Sequence, residues 1–207
     1  MTGILSCLWH IEPLCPPEPW HPCAHCGTPR AFRPTGKVRL NANGRRLDAW
    51  LIYNCTRCAA TWNLPLVDRV PVAAIAPADL QAMTHSDPYW VRRHLFDLAS
   101  LKRHATRIDQ PSGVRARCTP ALPLDWSDLS VTLCVPHPVG DRLDRCLSGF
   151  LGLSRSGVAT LCRTGGLSLL SGALNRPIRH GTSLHLKADA LITDQRNSLA
   201  TALSLET

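Results

Sequence analysis

Two cysteine pairs with the same internal spacing, Cys23-Ala-His-Cys26 and Cys55-Thr-Arg-Cys58, constrain this chain more than any other feature. A Cys-x-x-Cys turn aims two thiolates at one point from a tight knuckle. Two such knuckles complete a tetrahedral set of four thiolates, the closed arrangement of a structural metal. The 28 residues between the pairs (27–54) suit a ribbon. Lys37–Leu40 reads as a strand, Asn41-Ala42-Asn43-Gly44 as a turn, and Leu47–Asn54 as a strand entering the second knuckle. Zinc is the expected ion, although iron accepts the same four ligands and the pattern does not separate them. A redox role would need a pair opening a helix in a βαβ unit, which neither has. With all four positions filled by protein, the ion is a staple and not a catalyst. His25, inside the first pair, reads as an exposed knuckle residue.

A staple has a physical reason here, because roughly 70 loop-rich residues build only a thin core. The other six cysteines (Cys7, Cys15, Cys118, Cys134, Cys146 and Cys162) lack ligand spacing and read as small buried apolar residues. The start of the chain lacks the basic-then-apolar pattern of a secretory signal. No apolar run approaches the ~18 residues of a membrane helix. A cytoplasmic location with no membrane partner is the expectation.

Net charge is +8, from 23 Lys and Arg against 15 Asp and Glu. A balance of this kind suits a polyanionic partner. The excess is uneven: residues 1–70 carry 8 basic and 4 acidic groups, residues 71–140 carry 7 and 6, and residues 141–187 carry 7 and 2. Apolar residues at 44% supply enough core for a folded α+β chain. We expect a zinc ribbon of β-hairpins over 1–70, a helical linker region over 71–115 and an α+β domain over 116–207. In the linker, Pro77–Met83 reads as a short helix. Asp87 caps a longer one running to about His104, with Val91, Leu95, Leu98 and Leu101 facing a core. Arg92, Arg93, Lys102 and Arg103 fall on a solvated basic face. Gln110–Pro123 has no periodicity and reads as the domain boundary.

In the last region Ser130–Val135 reads as a strand. Leu143, Leu147, Phe150 and Leu151 share one face of a helix over 141–151, with Cys146 on the same side. Ser154 caps a second helix, Arg155–Arg163, whose inner face is Val158, Leu161 and Cys162. Gly165-Gly166 ends it. Leu167–Leu170 and Ser183–Leu186 alternate as strands. The result is two helices and a small sheet, with arginines at the helix ends.

Arg142-Leu143-Asp144-Arg145 with Leu147, then Ser154-Arg155-Ser156, then Leu161-Cys162-Arg163-Thr164-Gly165 resemble the RNA-binding motif of ribosomal small-subunit protein four. Gly172, Pro177 and Gly181 match its turn glycine, proline and final glycine. Ser171 stands where that motif has Asn, Thr182 where it has Asp, and Gly165-Gly166 loosens the spacing. The resemblance implies a grip on A-form backbone and junction shape through arginines and helix ends. It assigns that contact to Arg142, Arg145, Ser154, Arg155 and Arg163, with Arg179 and Lys187 at the rim. Separately, Asn41–Gly44, Leu47–Tyr53 and Thr61-Trp62-Asn63, bracketed by the cysteine pairs, resemble a bacterial domain-of-unknown-function family numbered 1062 along nearly the whole chain.

Phosphate loops, dinucleotide fingerprints, nucleophile elbows and His-Glu-x-x-His are all missing from the sequence. The expected function is therefore non-enzymatic binding of structured RNA or the ribosome, with one structural zinc. Arg30, Arg33, Lys37, Arg39, Arg45 and Arg46 offer a second contact surface on the ribbon, while Trp50, Tyr53 and Trp62 read as core. The competing readings are a zinc-stabilised adaptor for another protein, and an RNA-processing enzyme drawing on Asp48, Asp87 or His94.

Overall fold

A computed structural model describes residues 4–110, 112–123 and 125–204. Pro111, inside the expected boundary, and Leu124, just after it, lie outside the described residues. Five strands come first: β1 (Ile4–Pro13), β2 (Glu18–Cys23), β3 (Thr28–Asn43), β4 (Arg46–Cys55) and β5 (Thr61–Pro71). Helices α1 (Pro77–His85), α2 (Pro88–Leu95) and α3 (Leu98–His104) follow, then strands β6 (Arg107–Asp109), β7 (Val114–Thr119) and β8 (Asp128–Cys134). The remainder is α4 (Leu143–Leu151), α5 (Arg155–Arg163), β9 (Leu167–Leu169), β10 (Ser183–Lys187) and α6 (Thr193–Leu203).

The mixed α+β expectation holds, but the division of the chain is different. One compact unit is Pro16–Gln110, and the other joins Met1–Cys15 to Pro111–Thr207. The first is thus inserted, in sequence, between two parts of the second. The expected cut near 70 falls inside one unit, where hydrophobic faces join what it separates, and the division lies at 110/111, within the expected boundary stretch Gln110–Pro123. β1 is a strand of the split unit, and α1–α3 are the cover of the inserted unit's sheet, not a linker.

The inserted unit is a five-stranded antiparallel sheet in the order β5-β4-β3-β2-β6. Its strand β4 buries every second residue: Leu47, Ala49, Leu51, Tyr53 and Cys55. That is the period-2 pattern of a sheet with one covered face. Met83, Val91 and Leu101 from the helices meet these side chains, with Leu95 and Leu98 partly buried beside them. Helix α1 ends on Ser86 in the left-handed region (φ 51°), and the Ser86 hydroxyl accepts the Val38 N–H at 2.9 Å, where β3 bulges between Pro34 and Val38. The single helix expected over 87–104 is two. Asp87 caps the first by accepting from Trp90 N, and Asp97 starts the second by accepting from Ser100 N. A second N-cap carboxylate draws backbone donors out of a continuous helix.

The split unit is a mixed five-stranded sheet in the order β7-β1-β8-β10-β9, with β1 and β8 parallel. Cys7, Trp9 and Ile11 point inward from β1, while the intervening Leu8 is 43% exposed. Leu129, Val131 and Leu133 of β8 and Leu184 and Leu186 of β10 complete the inner face. Leu143, Leu147, Phe150 and Leu151 of α4, Val158 and Leu161 of α5, and Leu199 and Leu203 of α6 pack on it. Trp9 meets Phe150 edge to face at 6.0 Å. Strand β7 lies inside the stretch expected to be an irregular boundary, and α6 lies in a tail without a helical signal of its own. Of the six non-ligand cysteines, Cys7, Cys118 and Cys146 are buried and Cys134 and Cys162 half-buried, but Cys15 is exposed. No described helix is long and apolar enough to cross a membrane.

Candidate metal centre and basic surface

Cys23 closes β2, with Cys26 in the turn that leads into β3. Cys55 closes β4, with Cys58 in the turn that leads into β5. Pairing of β3 with β4, which sets Phe32 opposite Cys55, brings the two hairpin ends side by side. Each knuckle closes on its own backbone. Gly27 N donates to Cys23 O at 2.9 Å and Ala59 N to Cys55 O at 3.0 Å. The residue after each second cysteine is left-handed, Gly27 at φ 68° and Ala59 at φ 58°. Thr56 pins the second knuckle to β3 by donating to Ala31 O from both its amide and its hydroxyl.

The four Sγ atoms all lie within 4.8 Å of one another, so the set could hold a metal ion. Cys23 Sγ is 3.5 Å from Cys58 Sγ, and Cys26 Sγ is 4.0 Å from Cys55 Sγ. A tetrahedron of thiolates ~2.3 Å from a metal has edges of about 3.8 Å. The observed spacings bracket that value. His25 is exposed and does not belong to the cluster.

One side of the cluster is dry. Phe32 and Tyr53 are buried, and Trp62 packs against both, with its ring stacked on His21 at 4.3 Å. Tyr53 and Trp62 are therefore core residues. Trp50 belongs to the opposite side of β4 and is half-buried. Burial works against ionisation of Cys55. The amides of Cys58 and Arg57 and the thiols of Cys58 and Cys23 outweigh it and hold the Cys55 thiol down at about 6. At Cys58 the Ala60 amide acts to lower the pKa, but lost hydration and the other three sulfurs push it up to about 12. Four thiolates this close repel one another unless a cation sits among them.

The arginines named from the sequence fall into separate places. Arg142 and Arg155 come together on Asp144, whose side chain is only 11% exposed. Asp144 Oδ2 accepts from Arg142 Nη2 at 2.8 Å and from Arg155 Nε and Nη2 at 3.1 and 2.9 Å. Burial raises the Asp144 pKa, but the Arg155 hydrogen bonds and the Arg142 charge more than offset that and hold it below the usual carboxylate range. Arg145 turns instead to Asp141, at 3.6 Å. The Ser154 hydroxyl is a cap, accepting from Gly157 N at 3.0 Å. Arg163 ends the helix that Arg155 begins, about 12 Å further along its axis. Lys187 joins that end, since its amide donates to Gly166 O. Arg179 is exposed in the connection between β9 and β10, as is Arg176, which carries no signal in the sequence pattern.

On the ribbon, Arg33 pairs with Glu18 and Arg46 donates to Arg69 O, while Lys37, Arg39 and Arg45 are exposed. The residues offered to an enzyme reading have structural tasks. Asp48 accepts from Arg69 N, Asp87 caps α2, and His94 packs on Trp90 with its pKa lowered by burial.

The family model for proteins of unknown function DUF1062 matches residues 40–172, well over half of the chain. The chain belongs to this family. The DUF1062 match is narrower than the near-complete coverage expected. It takes in Cys55, Cys58, α4 and α5, and leaves Cys23, Cys26 and β10 outside. No curated protein and no solved structure matches the chain.

Proposed function

We propose that the protein binds structured RNA through the α4–α5 region of its split unit, and that zinc in the four-cysteine site staples the inserted unit without entering any chemistry. The observation that carries the RNA reading is the Arg142–Asp144–Arg155 clamp. One buried carboxylate fixes two guanidiniums that remain 44% and 56% exposed. A single negative charge cannot neutralise two positive ones, so a net positive charge stays at the surface with its donors oriented. Arg163, Arg176, Arg179 and Lys187 add four more charges that make no ion pair among the described residues. Oriented, forked donors that carry more positive charge than the protein neutralises suit phosphate oxygens. Resemblance to the ribosomal RNA-binding motif supports the same assignment. For the metal, the sulfur spacings fit a tetrahedral ion, and zinc takes that geometry without redox chemistry.

The RNA reading is tested with residues whose replacement leaves the clamp intact. Arg163→Gln, Arg179→Gln and Lys187→Gln, combined, should weaken binding to a hairpin RNA. They should also flatten the log–log salt dependence, by about 0.7–0.9 for each phosphate no longer neutralised. Arg92→Gln, Arg93→Gln and Arg103→Gln in the inserted unit form the control. Equal losses in the two sets, or no measurable RNA affinity, would contradict the proposal and favour a protein-binding adaptor. Elemental analysis checks the ion, with one zinc per chain expected and visible thiolate absorption marking iron instead.

A further inference from the structure

The connection between β9 and β10 folds back on the start of α4 and lines an open-mouthed cavity of about 340 Å³. It is held in place by backbone bonds on both sides. Leu143 N donates to Arg176 O at 3.0 Å, Asp144 N to Leu174 O at 2.9 Å and Ile178 N to Asp141 O at 3.1 Å. Arg142 and Pro177 form a further isolated bridge. Gly172, at φ 83°, passes so close to Thr182 that a Cβ there would sit 3.1 Å from the threonine methyl. The cavity is therefore formed before any ligand arrives.

Its lining is apolar at the base and cationic at the rim. Leu143 and Ile178 are buried beneath it, Ala173 forms an exposed wall, and Arg176 and Arg179 are exposed at the edge. Thr182, only 8% exposed, also lines the cavity and supplies a hydroxyl. Among the described residues, no carboxylate lines the cavity. Another sizeable cavity of this unit, about 390 Å³ beside α4 and β7, includes Asp141 and is less suited to an anion.

We propose that the cavity under the β9–β10 connection takes one unpaired nucleotide of a bound RNA, with the base inside and its flanking phosphates on Arg176 and Arg179; this rests on the RNA reading above. A base has two apolar faces and a polar edge, matching an apolar floor that carries the Thr182 hydroxyl. The volume is near the lower end of the roughly 300–1,000 Å³ of ligand pockets, room for one nucleotide and not a chain of them. A paired base would first have to leave its stack, so a bulged or junction nucleotide enters preferentially.

The test compares three hairpin RNAs on the full-length protein: one fully paired, one with a single bulged nucleotide, and one with an abasic residue at the bulge. The bulged hairpin should bind about tenfold tighter than either of the others. Ala173→Trp fills the cavity from its exposed wall, and should remove that preference while leaving affinity for the paired hairpin unchanged. Equal binding of all three RNAs, or a preference that survives Ala173→Trp, overturns the cavity assignment and leaves the RNA reading standing. Failure to bind any of the three overturns both. Saturable binding of free uridine monophosphate with no gain from the bulge would overturn the assignment to RNA in favour of a soluble nucleotide.

Discussion

The two units have similar lengths and very different interiors. Among the described residues, the split unit buries 25 side chains in one continuous cluster. The inserted unit buries eight in one cluster and three in another, and two of the eight are the metal-site cysteines Cys23 and Cys55. A sheet covered by three short helices cannot gather a core of the first kind. Four cysteines on two hairpin ends, close enough to hold a metal ion, lie where apolar area is scarce. The unit with the large core carries the clamped arginines, and the unit with the small core carries the four-cysteine cluster.

The largest expected effect comes from removing a ligand. Cys55→Ser should abolish stoichiometric metal and the cooperative melting of the inserted unit, because metal affinity and folding are one free energy in small thiolate domains. Metal content and near-ultraviolet circular dichroism, read together, check this. A variant that loses its metal yet melts normally would break the contrast between the units.

Next is Trp9→Ala in the split unit. Deleting a fully buried indole packed on Phe150 should cost about 3–5 kcal/mol in denaturant unfolding, with metal content unchanged. Asp144→Asn should cost less, about 1–2 kcal/mol, because both arginine partners are half-exposed. The folded-state pKa of Asp144 lies below its unfolded value. Its contribution is therefore present above the ordinary carboxylate range and lost as pH falls through the depressed value. Acid titration of stability should show that step in the native protein and not in Asp144→Asn. The smallest effect is a gain. Ala59 occupies a left-handed position that Gly27 fills in the matching knuckle, so Ala59→Gly should raise stability by about 0.5–1 kcal/mol. A thermal scan at saturating zinc would show it, and a loss would mean the second knuckle tolerates alanine without strain.

What is legible in the sequence is whatever is local. The knuckles, the β3–β4 hairpin and the capped helix Arg155–Arg163 announce themselves within a few residues through spacing, turn chemistry and helical period. What is not legible depends on distant partners. Cys7, Trp9 and Ile11 alternate as a strand should, but β1 pairs with β7 and β8, more than 100 residues away, and nothing local reveals that. Strand β7 turns only Ala116 and Cys118 inward between arginines, too faint a stripe to separate from a polar loop. Helix α6 buries just Leu199 and Leu203. Arg176 stands out only as a neighbour of Pro177, and its place at a cavity rim follows from a loop folding onto α4. Asp144 is visible in the motif, but its hold on two arginines follows from their geometry.

The most direct test of the contrast between the units is hydrogen exchange on the full-length protein, before and after metal removal by a chelator. Amides in Pro16–Gln110, above all those of β2–β5 around the knuckles, should lose protection. Amides of β1, β8, β10 and α4 should keep theirs. Uniform loss across both units, or no loss in either, would contradict the account that one unit stands on its metal and the other on its core.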